Sequence, residues 1–334
     1  MAIDVLKFGG SSVANIKSLE CVKKIVNKWG NKIIVVSAFG RESASDTKLT
    51  DLLIDCSQAE CLKDFENAYK KVEQKILEIS DALNINYDIK NCLKNIRKKY
   101  IKSKDAEYLI SRGEYITAKI LAKYLCLPFV DAKNILIFEN GKPNYIKIEK
   151  ILKEITKKHK KIIIPGFYAT ENNKLFIFSR GGSDISGAII ARAVGAKKYY
   201  NFTDVDGVYN VSPKIIQTKT IKKINYEDLN LITKNGAEVI HNDCIQILKK
   251  QNTKLKICNT KNLGKGGTWV CKVAKPVWFI SNYEFYFFVK IRNDLDRQKI
   301  KKLPYYYKEK QDGFEIQKTA NPKNQLKTII KVFD

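Results

Sequence analysis

The sequence predicts an α/β protein, a three-layer α/β/α sandwich built around a mainly parallel sheet. Three observations lead there. Short apolar runs bounded by Gly, Pro or Asn alternate with segments of helical spacing along most of the chain, the pattern of parallel strands joined by crossover helices. Two glycine pairs sit where a strand-like run gives way to the next segment, in "KFGGSS" (7–12) and "SRGGSD" (179–184). The hydrophobic fraction, 44% of 334 residues, is enough to bury a sheet on both faces.

The elements follow in order. "IDVLKF" (3–8) predicts a buried first strand ending at the Gly9–Gly10 turn. "SLECVKKIVNKW" (18–29) has helical spacing, and "KIIVVSA" (32–38) is a second strand. From Leu49 to Tyr100 apolar residues recur at three- and four-residue steps, which predicts a long helical region. "DAEYLISRGEYITAKILAKYL" (105–125) is a further amphipathic helix. "LPFVDA", "ILIF", "KIIIPGF" and "KLFIFS" read as strands. "DISGAIIARAVGA" (184–196) is a helix of small residues, and "KKYYNFTDVDGVY" (197–209) a strand running into an acidic turn. A helix near 236–250 and a strand at 254–260 close the pattern. The glycine steps of "NLGKGGT" (262–268) mark a break before the tail, and no internal repeat is present.

Composition excludes several classes. No run of about 18 uncharged apolar residues exists, so no transmembrane helix is expected. The N-terminal residues lack the basic and apolar regions of a signal peptide, and the expectation is a soluble, cytoplasmic protein. Eight cysteines without a C-x-x-C pair, and only His159 and His241, argue for free thiols and against a zinc site. The net charge of +26 resembles a nucleic-acid signal. The chain holds 54 Lys but only 7 Arg, however, and the lysines are spread along its length. Arginine is the residue suited to bidentate phosphate and guanine contacts, so no nucleic-acid partner is expected.

The glycine loops carry the chemistry. In "KFGGSS", glycines allow close backbone approach, successive N–H groups can form an anion nest, and Lys7 adds a point charge. Neither the Walker pattern nor G-x-G-x-x-G is present, and taken alone the loop fits an ordinary strand–helix turn equally well. In "SRGGSD" the following helix offers free N–H donors and its positive end to an anion. Ser183 and Asp184 also fit as simple capping residues, a reading that leaves Arg180 and the second glycine unexplained. "NFTDVDGVYNVSPK" (201–214) fits a solvated turn or a nucleotide edge.

Together, "KFGGSSV", "VVSA", "RGE", "GFYATEN", "SRGGSD", "FTDVDGVY" and "NGAEVIH" resemble the aspartate kinases of the amino-acid kinase superfamily, over roughly residues 3–271. The resemblance implies the amino-acid kinase fold, with a catalytic domain over 1–271. It implies transfer of the γ-phosphoryl of ATP, with Mg2+, to the side-chain carboxylate of L-aspartate. The product is L-4-aspartyl phosphate, the first intermediate of lysine, threonine and methionine synthesis. That carboxylate, of ordinary pKa about 3.9, is already ionised at neutral pH. Cations and N–H donors are therefore needed more than a base.

By the same resemblance, Lys7 touches the transferring phosphoryl group, and Gly9, Gly10 and Ser11 surround the phosphates. Asp184 orients Lys7. Arg180 holds the α-carboxylate of aspartate and Glu114 its α-ammonium. Thr50, Phe167, Gly182 and Ser183 complete the amino-acid pocket, and Ser37 lines it. Thr203, Asp204 and Tyr209 match the nucleotide edge. No residue is assigned to a metal. The two glycine loops then form two sides of one site, one facing ATP and the other its acceptor.

Departures from the family lie elsewhere. "VSPK" puts Lys214 where an arginine is usual, keeping the charge but losing the fork. "GAEVIHND" puts Glu238 in place of a lysine and lacks the Pro-Arg after His241. The family commonly ends in two ACT modules, whereas residues 272–334 have room for one small βαββαβ-like unit. A reduced ACT-like remnant with weak or absent feedback inhibition is expected. A homodimer is a family expectation that the shortened tail weakens. The rivals are a superfamily kinase with another acid acceptor and an inactive, interaction-only descendant.

Overall fold

The computed structural model describes residues 3–28, 30, 32–179 and 181–333; Arg180 lies outside the described residues. The chain begins with β1 (Asp4–Phe8), α1 (Ile16–Lys28) and β2 (Lys32–Val36). The long helical region is several antiparallel helices: α2 (Leu49–Ser57), α3 (Leu62–Ala82) and α4 (Ile89–Ser103), followed by α5 (Ala106–Leu125). Periodicity alone hid the breaks. Each later helix restarts at a side-chain cap, on Cys61, Asp88 and Asp105, and Asn84 adopts a left-handed φ of +47° after α3. Phe65 stacks on Tyr69 within α3, and folding back brings Tyr100 of α4 against Phe65.

Next come β3 (Ile137–Glu139), β4 (Lys142–Pro143), α6 (Tyr145–Lys158), β5 (Lys161–Pro165), β6 (Tyr168–Glu171) and β7 (Lys174–Ile177). "LPFVDA" does not form the expected strand. Pro128 has no amide proton to give a ladder, and the segment makes one bridge, Phe129 to Ile163, beside β5. A 3-10 turn over Ala132–Asn134 likewise shortens the strand expected at "ILIF". Strand β6, buried at the adjacent Tyr168 and Ala169 and half-buried at Thr170 and Glu171, shows no alternation and escaped the sequence pattern.

Then follow α7 (Gly182–Ala193), β8 (Lys198–Thr203), β9 (Lys223–Asn225), α8 (Tyr226–Lys234), α9 (Asn242–Lys250), β10 (Lys254–Asn259) and β11 (Thr268–Cys271). The helix expected from 236 starts only at Asn242, because Gly236 sits at φ +95° and His241 is the N-cap. Helix α8 was missed, although Asn225 caps it through the Asp228 amide.

The main sheet has seven strands in the order β5-β2-β1-β8-β10-β11-β9, with one antiparallel step at β10–β11. Its inner strands are buried on both faces. Alternation sends Leu6, Phe8, Ile34 and Val36 to a core with α1–α5, and Val5, Ile33 and Val35 to a core with α6–α9. Lys7 follows Val5 by two positions and so faces the α7 side. A small sheet, β4-β3-β6-β7, adjoins this body.

After β11 the chain forms β12 (Phe279–Asn282), β13 (Tyr286–Lys290), α10 (Asp294–Lys301), β14 (Tyr307–Lys310), β15 (Gly313–Gln317) and α11 (Pro322–Ile330). These strands make an antiparallel sheet in the order β12-β13-β15-β14. The element order is ββαββα rather than the expected βαββαβ: an extra hairpin strand, β12, precedes the βαββα run and takes one sheet edge. Among the described residues no helix is long and apolar enough to cross a membrane.

The small residues of α7 let it lie tight on β8. A Cβ on Gly187 would stand 2.7 Å from the Tyr199 hydroxyl oxygen and 2.9 Å from Cε2 of that buried ring. Gly187→Ala is expected to cost about 1–3 kcal/mol by overpacking, read as a lower urea midpoint with an unchanged slope.

Candidate active site

The site forms where β1, β2 and β8 end beside the start of α7, the carboxyl edge at which open parallel sheets bind ligands. The turn after β1 is fixed by its neighbours. Gly9 N–H donates to Phe202 O at 3.1 Å, and Ser12 Oγ donates to the same oxygen at 3.0 Å. Thr260 Oγ1 in turn donates to Ser12 Oγ at 2.6 Å. Ser37 N–H donates to Phe8 O at 3.0 Å, and Gly40 N–H to Gly10 O at 3.1 Å. The segment 37–40 therefore lies directly against the first loop. A side chain on Gly40 would strike Gly10 O at 2.5 Å, which only glycine avoids.

Lys7 and Asp184 are both buried, and Lys7 Nζ lies 2.6 Å from Asp184 Oδ1. The contact is an ion pair by distance, but Oδ1 gains no hydrogen bond of proper geometry from it. Asp184 Oδ2 accepts the His241 N–H at 3.0 Å. Asp184 is not an N-cap, as one reading of the sequence allowed, because Gly181 occupies that position at φ +75°. A Cβ on Gly181 would lie 2.5 Å from His241 Cβ, so the α7 and α9 entries interlock.

The residues expected to form the amino-acid pocket are equally close-packed. Gly166 and Phe167 follow β5, and Phe167 adopts φ +77°, held by its N–H to Ser186 Oγ at 3.0 Å. A side chain on Gly182 would meet Phe167 Cδ2 at 2.6 Å, and one on Gly166 would meet Ser183 Cβ at 2.7 Å. Glu114, on α5, is almost fully buried. Burial pushes its carboxyl up to about 8, against the opposing pull of the Ala38 N–H, Arg112 and Lys7. Thr50 stands half-buried in the first turn of α2, whose Leu49 N–H donates to Phe39 O.

The residues expected at a nucleotide edge gather around the turn after β8. Thr203 Oγ1 donates to Asp204 Oδ1, and Asn259 Nδ2 holds Asp204 O at 3.0 Å and Asp206 Oδ1 at 2.8 Å. Asp204, Tyr209, Lys214 and Glu238 line one cavity of about 600 Å³. Another cavity, of about 550 Å³ between α1 and α3, contains none of the predicted residues.

Sequence reading missed several contributors. The His241 and Ala38 groups act through backbone N–H, which side-chain identity does not reveal. Asn201 is paired in register with Lys7, is buried, and donates through Nδ2 to Val239 O at 3.0 Å while its Oδ1 has no partner. A lone Asn within an aromatic strand was its only signal. Among the described residues four buried side-chain atoms lack hydrogen-bond partners. Glu114 Oε2 and Asn201 Oδ1 belong to this site, as does Asp184 Oδ1, which meets the Lys7 ammonium at 2.6 Å; Asn201 Oδ1, and Glu114 Oε2 once ionised, are acceptors. Buried orphan acceptors mark places for donors.

Residues 3–259 match the family model described as "Amino acid kinase family", and the chain belongs to that family. Its relatives include Aspartokinase 3 of Bacillus subtilis, 32% identical over 289 residues covering 80% of this chain and 63% of that protein. An Aspartokinase of Chlamydia pneumoniae is 28% identical over 290 residues, covering 82% of this chain and 64% of that protein. The chain thus spans less than two thirds of the length of these curated relatives. Among solved structures, the aspartate kinase of Clostridium acetobutylicum aligns with a TM-score of 0.78 at 29% identity, over 98% of this chain and 81% of that one. Aspartokinase III of E. coli, in complex with aspartate and ADP, aligns at 0.72 and 19% identity over 94% of this chain and 78% of that one, a likeness of fold.

Lys7→Met alone leaves the buried Asp184 carboxylate without its cation, and is expected to cost about 3–5 kcal/mol. Adding Asp184→Asn removes the stranded charge and recovers most of that loss. Urea denaturation of the two variants checks the order.

Proposed function

We propose that this chain is an aspartate kinase, transferring the γ-phosphoryl group of ATP to the side-chain carboxylate of L-aspartate to give L-4-aspartyl phosphate. The relatives named aspartokinase support the substrate. The observation that carries the reading is the buried Lys7–Asp184 ion pair at the carboxyl edge of the sheet, with the buried Glu114 Oε2 and Asn201 Oδ1 left without partners. An amino acid brings an ammonium group that donates to Glu114, and a phosphoryl donor brings anionic oxygens for Lys7.

The chemistry follows from charge. The acceptor carboxylate is its own nucleophile, so the difficulty is bringing an anion to a polyanion. Lys7 neutralises charge on the transferring group, and Gly9, Gly10 and Ser11 surround the phosphates; with the Gly9 N–H held by Phe202 O, the amides offered are those of Gly10 and Ser11. Asp184, fixed by the His241 N–H, holds the Lys7 ammonium in place. Glu114 takes the α-ammonium, Arg180 the α-carboxylate. Gly182, Ser183, Phe167, Thr50 and Ser37 shape the pocket. Thr203, Asp204, Tyr209 and Lys214 take the nucleoside side.

Mg2+ fits this donor set. The described residues contain no cluster of three His, Cys, Asp or Glu side chains. Mg2+ would come with the phosphate oxygens of ATP, with the Asp184 carboxylate beside Lys7 to receive its water shell. When bound, it supplies further neutralisation of the phosphate charge. All eight cysteines are unpaired, which suits a cytoplasmic enzyme.

Hydroxylamine trapping of acyl phosphate, with Mg-ATP and aspartate, glutamate, carbamate or acetylglutamate, should give product with aspartate. Lys7→Met should lower the rate by about 10²–10³-fold or more. Product with a different acceptor, or near-normal turnover of the variant, would overturn the assignment.

Glu114 gives the expected pH dependence. Its raised pKa leaves the free carboxyl protonated below about pH 8, where it cannot pair with an ammonium. The KM for aspartate should fall as pH rises from about 6.5 toward 8 and then level off. Glu114→Gln should raise that KM and abolish its dependence over this window. The linked stability runs the other way. A carboxyl raised above 4.5 stabilises the ligand-free fold at low pH, and that contribution is lost as pH rises toward about 8.

A further inference from the structure

The cavity that holds Asp204, Tyr209, Lys214 and Glu238 has walls from three parts of the chain. One is the turn after β8, residues 204–215. A second is the segment 235–239 after α8. The third is β12 of the C-terminal unit with the residue that follows it, through Phe279, Ser281, Asn282 and Tyr283. The sequence assigned nothing at this site to the tail.

The third wall is bonded to both of the others. Ile280 N–H donates to Asn210 O at 2.7 Å, and Ile280 bridges Val211 in parallel. Asn210 Nδ2 donates back to Trp278 O. On the other side, Tyr283 Oη donates to Asn235 Oδ1 at 2.8 Å. Below it, Asp228 of α8 accepts the Val277 N–H at 3.1 Å and pairs with Lys290 of β13 at 2.6 Å, both charges buried. Val211 itself packs in the core of the C-terminal unit, with Phe287, Val289 and Phe314. One strand therefore sets the separation of the two segments that carry the nucleotide-edge residues.

We propose that β12 and Tyr283 form the third wall of the nucleotide cavity, so that the C-terminal unit is part of the ATP site rather than an appendage to it. This rests on the aspartate-kinase reading. The cavity suits a nucleoside: Val208, Ile232 and Phe279 offer apolar surface, and Ser281 and Asn282 offer hydrogen-bonding groups. Asn282 is exposed and lines the cavity, so a large side chain there obstructs the ligand with little demand on the core. Tyr283 is a positioning residue, acting through Asn235.

Calorimetric titration of the full chain with MgADP, and separately with aspartate, tests this. Asn282→Trp should weaken MgADP binding at least about tenfold while aspartate binding stays within about twofold. Tyr283→Phe, which deletes one oxygen, should weaken MgADP severalfold with the same selectivity. Phe285→Ser, a change at a 72% exposed side chain outside the cavity lining, should alter neither titration. Unchanged MgADP affinity in Asn282→Trp, or equal losses for MgADP and aspartate, overturns the proposal while leaving the kinase reading intact. A wild-type chain that binds no nucleotide overturns both.

Discussion

The contact on which the site depends is the buried ion pair between Lys7 at the end of β1 and Asp184 in the first turn of α7. Two charges withdrawn from water need more than each other's attraction. Asp184 receives the His241 N–H at the start of α9, and the first turn of α7 places the carboxylate near free backbone donors. These partners come from different parts of the chain. The close approaches at Gly40, Gly166, Gly181 and Gly182 are what let those parts meet. The glycines are thus packing elements as much as anion-binding ones.

Burial also separates this lysine from most of the chain's other 53, Lys32 and Lys290 being buried in ion pairs of their own. Surface ammonium groups are screened over about 8–10 Å at physiological salt, whereas a charge in a closed, low-dielectric pocket is screened far less. The +26 charge describes the exterior. The local field inside the site is set by one lysine and by the carboxylates that hold it or compete for it.

Much of this was legible in the sequence. Alternating strand and helix signals gave the parallel sheet, and the glycine loops marked the carboxyl edge. Lys7 and Asp184, far apart in the chain, were paired by resemblance and stand 2.6 Å apart. Other features were hidden for physical reasons. The His241 and Ala38 groups act through the backbone. Asn201 is a polar atom inside a strand that otherwise reads as core. Helix α8 has nine residues and strand β6 four, and so short a pattern is a weak signal. The long helical stretch split because Asn84 and the later caps interrupt a periodicity that continues on either side. The tail's contribution to the cavity was illegible because it depends on which segments the fold brings beside β12.

The register of the central sheet has a consequence for the order in which the chain can fold. β1 lies between β2 and β8, and the bond from Ser12 Oγ to Phe202 O spans 190 residues. During synthesis the first strand and its glycine loop emerge early, but one edge of β1 stays unpaired until β8 is made. An apolar, unpaired edge is the kind of surface that invites association with other chains. The two charges of the site are therefore kept apart until Asp184 has been made, and the lysine end of the site is the part that waits. Closing that long loop, rather than forming any single helix, is the slow step such a topology imposes.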